Sequence, residues 1–174
     1  NTLSLNIVGS LTIEAWVYPT VSSGIRYIVF KGNASNGYYL RLNSNGTVSL
    51  GTNGLNRITS TAVIPAGKWS HVAGSYDVSS NGYKLFVNGL EDASIINIIN
   101  SAPNTNTDSL FIGKFGANTF TGLMDEVRIW TKPVVPFMIR KSFRTSLSLS
   151  SGQYVSLLFS MPFQRINSSG TSFT

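Results

Sequence analysis

The sequence predicts an all-β fold, an antiparallel sandwich or a closed barrel, and three observations predict it. Five Asn-Gly pairs, at positions 36–37, 45–46, 53–54, 81–82 and 88–89, punctuate the first 126 residues. Both residue types tolerate the positive φ that two-residue hairpin turns demand. Between these turns apolar and polar residues alternate with period two, as half-buried strands require. No convincing 3.6-residue apolar stripe interrupts them, so the crossover helices of a parallel sheet are lacking.

The elements follow in chain order. Residues 11–18 form the first run, in which Ile13, Ala15 and Val17 alternate with Trp16 and Tyr18. A second run covers 25–30. Around Asn45-Gly46, Tyr38, Leu40 and Leu42 alternate with Tyr39, Arg41 and Asn43, and Val48 and Leu50 continue the apolar face on the return. Residues 68–76 form another run. Around Asn88-Gly89, Tyr83, Leu85 and Val87 alternate with Lys84 and Phe86, and the returning strand runs towards Ile95. Runs at 110–112, 123–130 and 153–159 complete the set. The sole helical candidate is 135–143, where Phe137, Ile139 and Phe143 are apolar and Pro136 is tolerated in a first turn.

At 174 residues the chain is the length of one domain, and no Pro- or Gly-rich linker divides it, so a single domain over 1–174 is expected. With 42% hydrophobic and only 11% charged residues, intrinsic disorder is excluded. The apolar stretches fall far short of the roughly 20 residues that cross a bilayer, so no membrane insertion is expected. The absence of cysteine removes disulfides, zinc-thiolate sites and thiol catalysis together. Ser, Thr and Asn supply 56 residues, a balance that suits secreted or surface β proteins.

The net charge of +6 is unevenly placed. Residues 1–126 hold seven basic and seven acidic residues and sum to zero. The excess comes from Arg128, Lys132, Arg140, Lys141, Arg144 and Arg165. Without a recognition helix, a zinc finger or a basic run interleaved with aromatics, this excess does not predict nucleic acid. Phosphates or an anionic polysaccharide are one reading of it; the favoured one is contact with acidic groups on another part of the same protein or on a neighbouring copy.

Six motifs together resemble one family. They read Leu11-Thr12-Ile13-Glu14-Ala15-Trp16-Val17, Gly37-Tyr38-Tyr39-Leu40-Arg41-Leu42 and Ile64-Pro65-Ala66-Gly67-Lys68-Trp69-Ser70-His71-Val72-Ala73, followed by Leu85-Phe86-Val87-Asn88-Gly89, Leu110-Phe111-Ile112-Gly113 and Gly122-Leu123-Met124-Asp125-Glu126-Val127-Arg128-Ile129-Trp130. In this order and spacing they resemble the laminin-G-like, concanavalin A-like jelly-roll domains of surface proteins. The resemblance implies a two-sheet antiparallel jelly-roll sandwich with one short helix, and a binding or adhesive role rather than catalysis. It also implies a strand upstream of Asn1 and an acidic segment beyond Thr174, so the chain is read as a piece of a larger surface or secreted protein.

Asp125 and Glu126 are adjacent on a strand and point to opposite faces, so they cannot flank one glycosidic bond as a hydrolase pair must. No catalytic residues are predicted. His71, the only histidine, is expected to form a structural polar pair with Asp125. Calcium is the cofactor that the resemblance implies, and Asp108 is the candidate ligand, with the remaining ligands expected outside this chain; no metal site is predicted within it. For a glycan, flat aromatic faces beside directed donors are needed. Trp16 with Tyr18, Tyr39 with Arg41, and Lys84 with Phe86 are the candidates, each against the alternative that the rings merely cover a sheet.

The function expected is thus a non-catalytic extracellular recognition or adhesion module, carbohydrate-binding, with a glycan or surface protein as partner. The alternatives are a structural packing domain of a fibre, sheath or surface layer, and an accessory domain of a carbohydrate-active enzyme.

Overall fold

The computed structural model describes residues 5–134, 136 and 138–140. Its strands are β1 (Leu11–Pro19), β2 (Arg26–Asn33), β3 (Asn36–Leu42), β4 (Thr47–Thr52), β5 (Leu55–Val63), β6 (Ser70–Asp77), β7 (Gly82–Val87), β8 (Leu90–Ile95), β9 (Leu110–Ile112), β10 (Lys114–Phe115), β11 (Asn118–Thr119) and β12 (Gly122–Trp130). The first sheet runs β12-β1-β6-β7-β8 and the second β5-β4-β3-β2-β9, all antiparallel, while β10 and β11 form a separate hairpin. This is the two-sheet jelly-roll sandwich expected. Pro136 and residues 138–140 are helical, inside the expected 135–143. The remaining residues of that helix and the strand expected at 153–159 lie outside the described residues.

Turns form at four of the five Asn-Gly pairs, whereas Asn36-Gly37 opens β3 and the β2–β3 turn is made by Ala34-Ser35. Asn88 and Gly89 both adopt positive φ, 50° and 79°, and join β7 to β8; Asn53 and Gly54, at 53° and 73°, join β4 to β5. Between the sheets, the period-two residues meet. Leu11, Ile13, Ala15 and Val17 of β1, Val72 and Tyr76 of β6 and Leu85 of β7 pack with Ile28, Val29, Leu40, Leu42, Val48 and Leu50 of the second sheet. These side chains are almost wholly withdrawn from water, and their burial drives the two layers together.

Two edge strands are clasped across the layers. Both carboxylate oxygens of Asp92 on β8 are used: Oδ2 accepts the Thr61 N–H of β5 at 2.6 Å, and Oδ1 accepts the Ala62 N–H at 3.1 Å and the Thr61 hydroxyl at 3.0 Å.

A bulge in β12 decides which of its side chains face outward. Two residues of β12, Glu126 and Val127, stand opposite Ala15 of β1, and Glu126 takes a positive φ of 52°. Val127 and Ile129 therefore face the core while Asp125, Arg128 and Trp130 share the outer face with Thr12, Glu14 and Trp16.

Candidate functional site

The outer face of the first sheet is covered over Ala73 and Phe86. After β12 the chain returns across it: Val134 and Ile139 pack on Ala73 and Phe86, and the Thr12 hydroxyl donates to Lys132 O at 2.9 Å and accepts the Val134 N–H at 3.1 Å. Phe86 is fully buried there, so it cannot offer a ring to a ligand, because Val134 and Ile139 pack on it. Lys84 is spent in an exposed ion pair with Glu91, 2.9 Å apart.

On the same face sits a buried charged cluster. Glu14 Oε1 accepts from Arg128 Nη1 at 3.3 Å and from the Trp130 indole N–H at 3.1 Å, its Oε2 lies 3.3 Å from His71 Nε2, and Arg128 also pairs with Glu126. Burial alone would raise the Glu14 carboxyl; the bond and charge of His71, the charge of Arg128 and the Trp130 donor together hold it below its ordinary value. The expected His71–Asp125 pair is corrected here. Trp16 stands opposite both His71 and Asp125 in the register, so β1 lies between them, and Glu14 is the acid beside the histidine. Asp125 instead accepts the Glu126 N–H at 2.7 Å. Arg128, expected to reach outside the domain with the other basic residues, is neutralised inside it, since its side chain is 1% exposed between Glu14 and Glu126. Lys132 and Arg140 are exposed, and Lys141, Arg144 and Arg165 lie outside the described residues.

Tyr18 and Trp16 belong to this same face, apart from Tyr39 and Arg41. Tyr18 packs against Trp69, ring centroids 5.6 Å apart, and Trp16 meets His71 edge-on at 5.5 Å. Trp69, which alternation alone had left unassigned, is 39% exposed beside Tyr18.

The outer face of the second sheet is built differently. On β2 and β3, Tyr27, Phe30 and Tyr39 form an aromatic floor, joined by Phe111 of β9 and Phe115 of β10. Phe115 stacks on Phe30 with centroids 3.5 Å apart, and Tyr27 meets Tyr39 edge-on at 5.7 Å. Arg41 lies over this floor, its Cζ 5.0 Å from the Tyr39 ring centre and 5.8 Å from that of Tyr27. Its Nη1 donates to the Tyr27 hydroxyl at 3.2 Å and its Nε to Asn43 Oδ1 at 3.2 Å.

On the other side of Arg41 the face is polar. Asn43 Nδ2 donates to Thr47 Oγ1 at 2.9 Å and Ser49 Oγ at 2.7 Å; Ser49 and Thr59 share a hydroxyl bond of 2.9 Å, and Asn56 Nδ2 donates to Thr59 at 2.8 Å. The face is therefore divided, aromatic over β2 and β9 and hydroxylic over β4 and β5, with Tyr39 and Arg41 on β3 at the boundary. Burial raises the Tyr39 phenol above its ordinary value, against the pull of Arg41 and Arg57, so it stays protonated at neutral pH. The Tyr27, Phe30 and Tyr39 rings are themselves buried, so what this surface offers is the half-buried Phe111 and Phe115 packed against them, the half-buried Arg41 guanidinium and the exposed polar groups of Asn56 and Thr59.

Asp108, the expected calcium ligand, is placed at one end of the sandwich, and the residues around it do not suit a metal. The Lys31 ammonium, 0% exposed, donates to Asn106 Oδ1 at 2.5 Å, Asp108 O at 2.7 Å and Asn106 O at 3.3 Å, while the Asp108 carboxylate accepts from Asn33 Nδ2 at 2.8 Å. The oxygens that would ligate a cation already hold an ammonium ion. No group of three or more His, Asp or Glu able to hold a metal occurs among the described residues, nor does any helix among them have the length and apolarity to cross a membrane.

Comparison with known proteins places this architecture. The family model described as the concanavalin A-like lectin/glucanases superfamily matches residues 1–139. No curated protein matches the chain in sequence. Among solved structures, a candidate carbohydrate-binding protein from Bacteroides ovatus is similar with a TM-score of 0.66 and 23% identity; the match covers 77% of this chain and 40% of that one, so the chain spans less than half of that relative. Domain 4 of AbnA, an extracellular arabinanase of Geobacillus stearothermophilus, in complex with arabinotriose, is similar with a TM-score of 0.62 and 23% identity over 76% of this chain and 66% of that one. The CBM40 module of the Ruminococcus gnavus IT-sialidase, bound to α2,6-sialyllactose, has a TM-score of 0.61 and 18% identity, covering 77% of this chain and 82% of that module.

Proposed function

This chain belongs to the concanavalin A-like lectin/glucanase superfamily, and from that premise we propose that it is a non-catalytic carbohydrate-binding module whose site is the outer face of the second sheet at Tyr39 and Arg41. The observation that carries the proposal is the division of that face along β3, with half-buried Phe111 and Phe115 packed on the buried Tyr27, Phe30 and Tyr39 rings on one side and the Asn43–Ser49–Thr59 ladder on the other. A sugar ring has the same two-sided chemistry, apolar C–H faces and hydroxyl edges, so aromatic carbon and fixed amide or hydroxyl groups recognise it together. The first sheet's Lys84 and Phe86 do not supply this surface, one being ion-paired and the other buried. Similar structures in complex with arabinotriose and sialyllactose support the reading.

The module acts as part of a larger secreted or surface protein, with carbohydrate as partner and no residue of its own doing chemistry. A glycan array with the purified domain tests this. Hits that disappear in Tyr39→Ala and Arg41→Ala but persist in Trp69→Ala support the site; hits lost only in Trp69→Ala move it to the Tyr18–Trp69 pair on the opposite sheet.

A further inference from the structure

On the reading just given, we infer that the sugar held at this face is anionic, bearing a carboxylate or a sulfate ester, and that Arg41 is the group that binds the charge.

The strands of the second sheet carry Arg26, Lys31, Arg41 and Arg57 and no Asp or Glu at all. Three of these cations are absorbed by main-chain and hydroxyl oxygens. Arg26 donates to the carbonyls of Val21, Gly24 and Asn43, Lys31 to those of Asn106 and Asp108, and Arg57 to Thr52 Oγ1 and Asn100 O. Arg41 alone of the four projects from the outer face. Its two bonded nitrogens, Nε and Nη1, meet neutral acceptors, and it makes no ion pair among the described residues.

No acidic side chain elsewhere in the chain is available to it either. All seven are placed: Glu14, Asp125 and Glu126 on β1 and β12, Asp77 at the end of β6, Glu91 and Asp92 on β8, and Asp108 in the loop before β9. Arg26 and Arg57 also lack a carboxylate, but Arg41 is the one at the outer face, and withdrawing its charge from water costs free energy that an incoming opposite charge would offset. Over an aromatic floor the local dielectric is low, and attraction to an incoming anion is correspondingly stronger. Arg41 Nη2, which has no protein partner among the described residues, and the outer edge of Nη1 together form the fork that fits a carboxylate or sulfate with two parallel bonds. A neutral hydroxyl can accept one of these bonds, but the charged acceptor makes the stronger pair.

The test compares matched oligosaccharides by calorimetry: oligogalacturonate against its methyl ester, and a sulfated galactan fragment against its desulfated form. The inference predicts that one charged member binds at least about tenfold more tightly than its neutral counterpart, in line with the strength of charge-assisted bonds, and that rising salt erodes the preference. Arg41→Gln, which keeps donors towards Asn43 and Tyr27, should remove the preference without shifting the melting temperature. Should that variant be destabilised, Arg41→Lys keeps the charge without the fork and should retain only part of the preference. Equal binding of charged and neutral forms, with both weakened by Arg41→Gln, overturns the inference and leaves the glycan-binding reading standing. A charge preference that survives Arg41→Gln also overturns it. Absence of binding to any glycan on a broad array overturns both.

Discussion

The ring of Tyr39 on β3 packs over the bare Cα of Gly51 on the neighbouring β4, at a point where a Cβ would stand 2.1 Å from Tyr39 Cζ. Glycine is required there by space alone, since its backbone is not in the left-handed region. Gly51→Ala should push the ring off the sheet and disturb the seat of Arg41. The expected cost is about 1–3 kcal/mol, the usual range for overpacking, read by chemical denaturation. Glycan affinity at a temperature where the variant is fully folded should fall as well. Unchanged stability and affinity would show that the ring has another place to rest.

Glu14 joins three elements of the first sheet through His71, Arg128 and Trp130. Removing its charge in Glu14→Gln leaves Arg128 buried with a depleted set of acceptors, and loss of one member of a buried ion pair costs about 3–5 kcal/mol. The pH dependence has a definite sign. The folded carboxyl titrates below its ordinary value of 4.5, so the stability it contributes is fully present above that value and is lost as pH falls through the lower, folded-state value. Acid unfolding followed by tryptophan fluorescence should therefore show a shallower pH dependence in Glu14→Gln than in the wild type below pH 4.5.

Lys31 ties the loop before β9 to β2. In Lys31→Met the carbonyls of Asn106 and Asp108 lose their buried donor, a loss of about 1–3 kcal/mol for groups left unsatisfied. Hydrogen exchange should accelerate over residues 104–109 while β6 and β7 stay protected. Chelators and added calcium should leave the wild-type melting temperature unchanged, because the ammonium already fills the position.

Asn88 has two tasks at the β7–β8 turn: its φ is 50°, and its Oδ1 accepts the His71 N–H at 2.9 Å. Asn88→Ala loses both the tolerance for that conformation and the bond, and Asn88→Gly loses only the bond. Thermal melts should rank the wild type above Asn88→Gly and Asn88→Gly above Asn88→Ala, with the two variants separated by about 1 kcal/mol.

Much of this fold was legible because turn chemistry and period-two patterning are local. The hairpins at Asn45-Gly46 and Asn88-Gly89 stand where their residues require, and Tyr39 and Arg41 share an outer face as their alternation implies. Strand β5 was not legible: among its Ser, Thr and Asn residues, Ile58 and Ser60 alone are buried, so its pattern is that of a polar loop. The partners of His71 and Arg128 were hidden for another reason. Glu14 reaches them through the register of β1 between two neighbours, a relationship between residues more than 50 positions apart, and Glu126 reaches Arg128 through a bulge, neither of which a local pattern carries. The burial of Phe86 has the same origin, since a ring placed outward by alternation is covered by Val134 and Ile139 from the far end of the chain.

The Asp92 clasp on Thr61 and Ala62 has a consequence for the behaviour of many molecules together. β5 is the border of its sheet, and a border strand with free amides invites a strand from another molecule to add to it. Here two of those amides are already satisfied by a carboxylate from β8, which also places negative charge along the border. A domain carrying exposed Leu55 and Val63 on that same strand is thereby guarded against stacking into fibrils, and can be displayed at high local density on a surface without its copies zipping together.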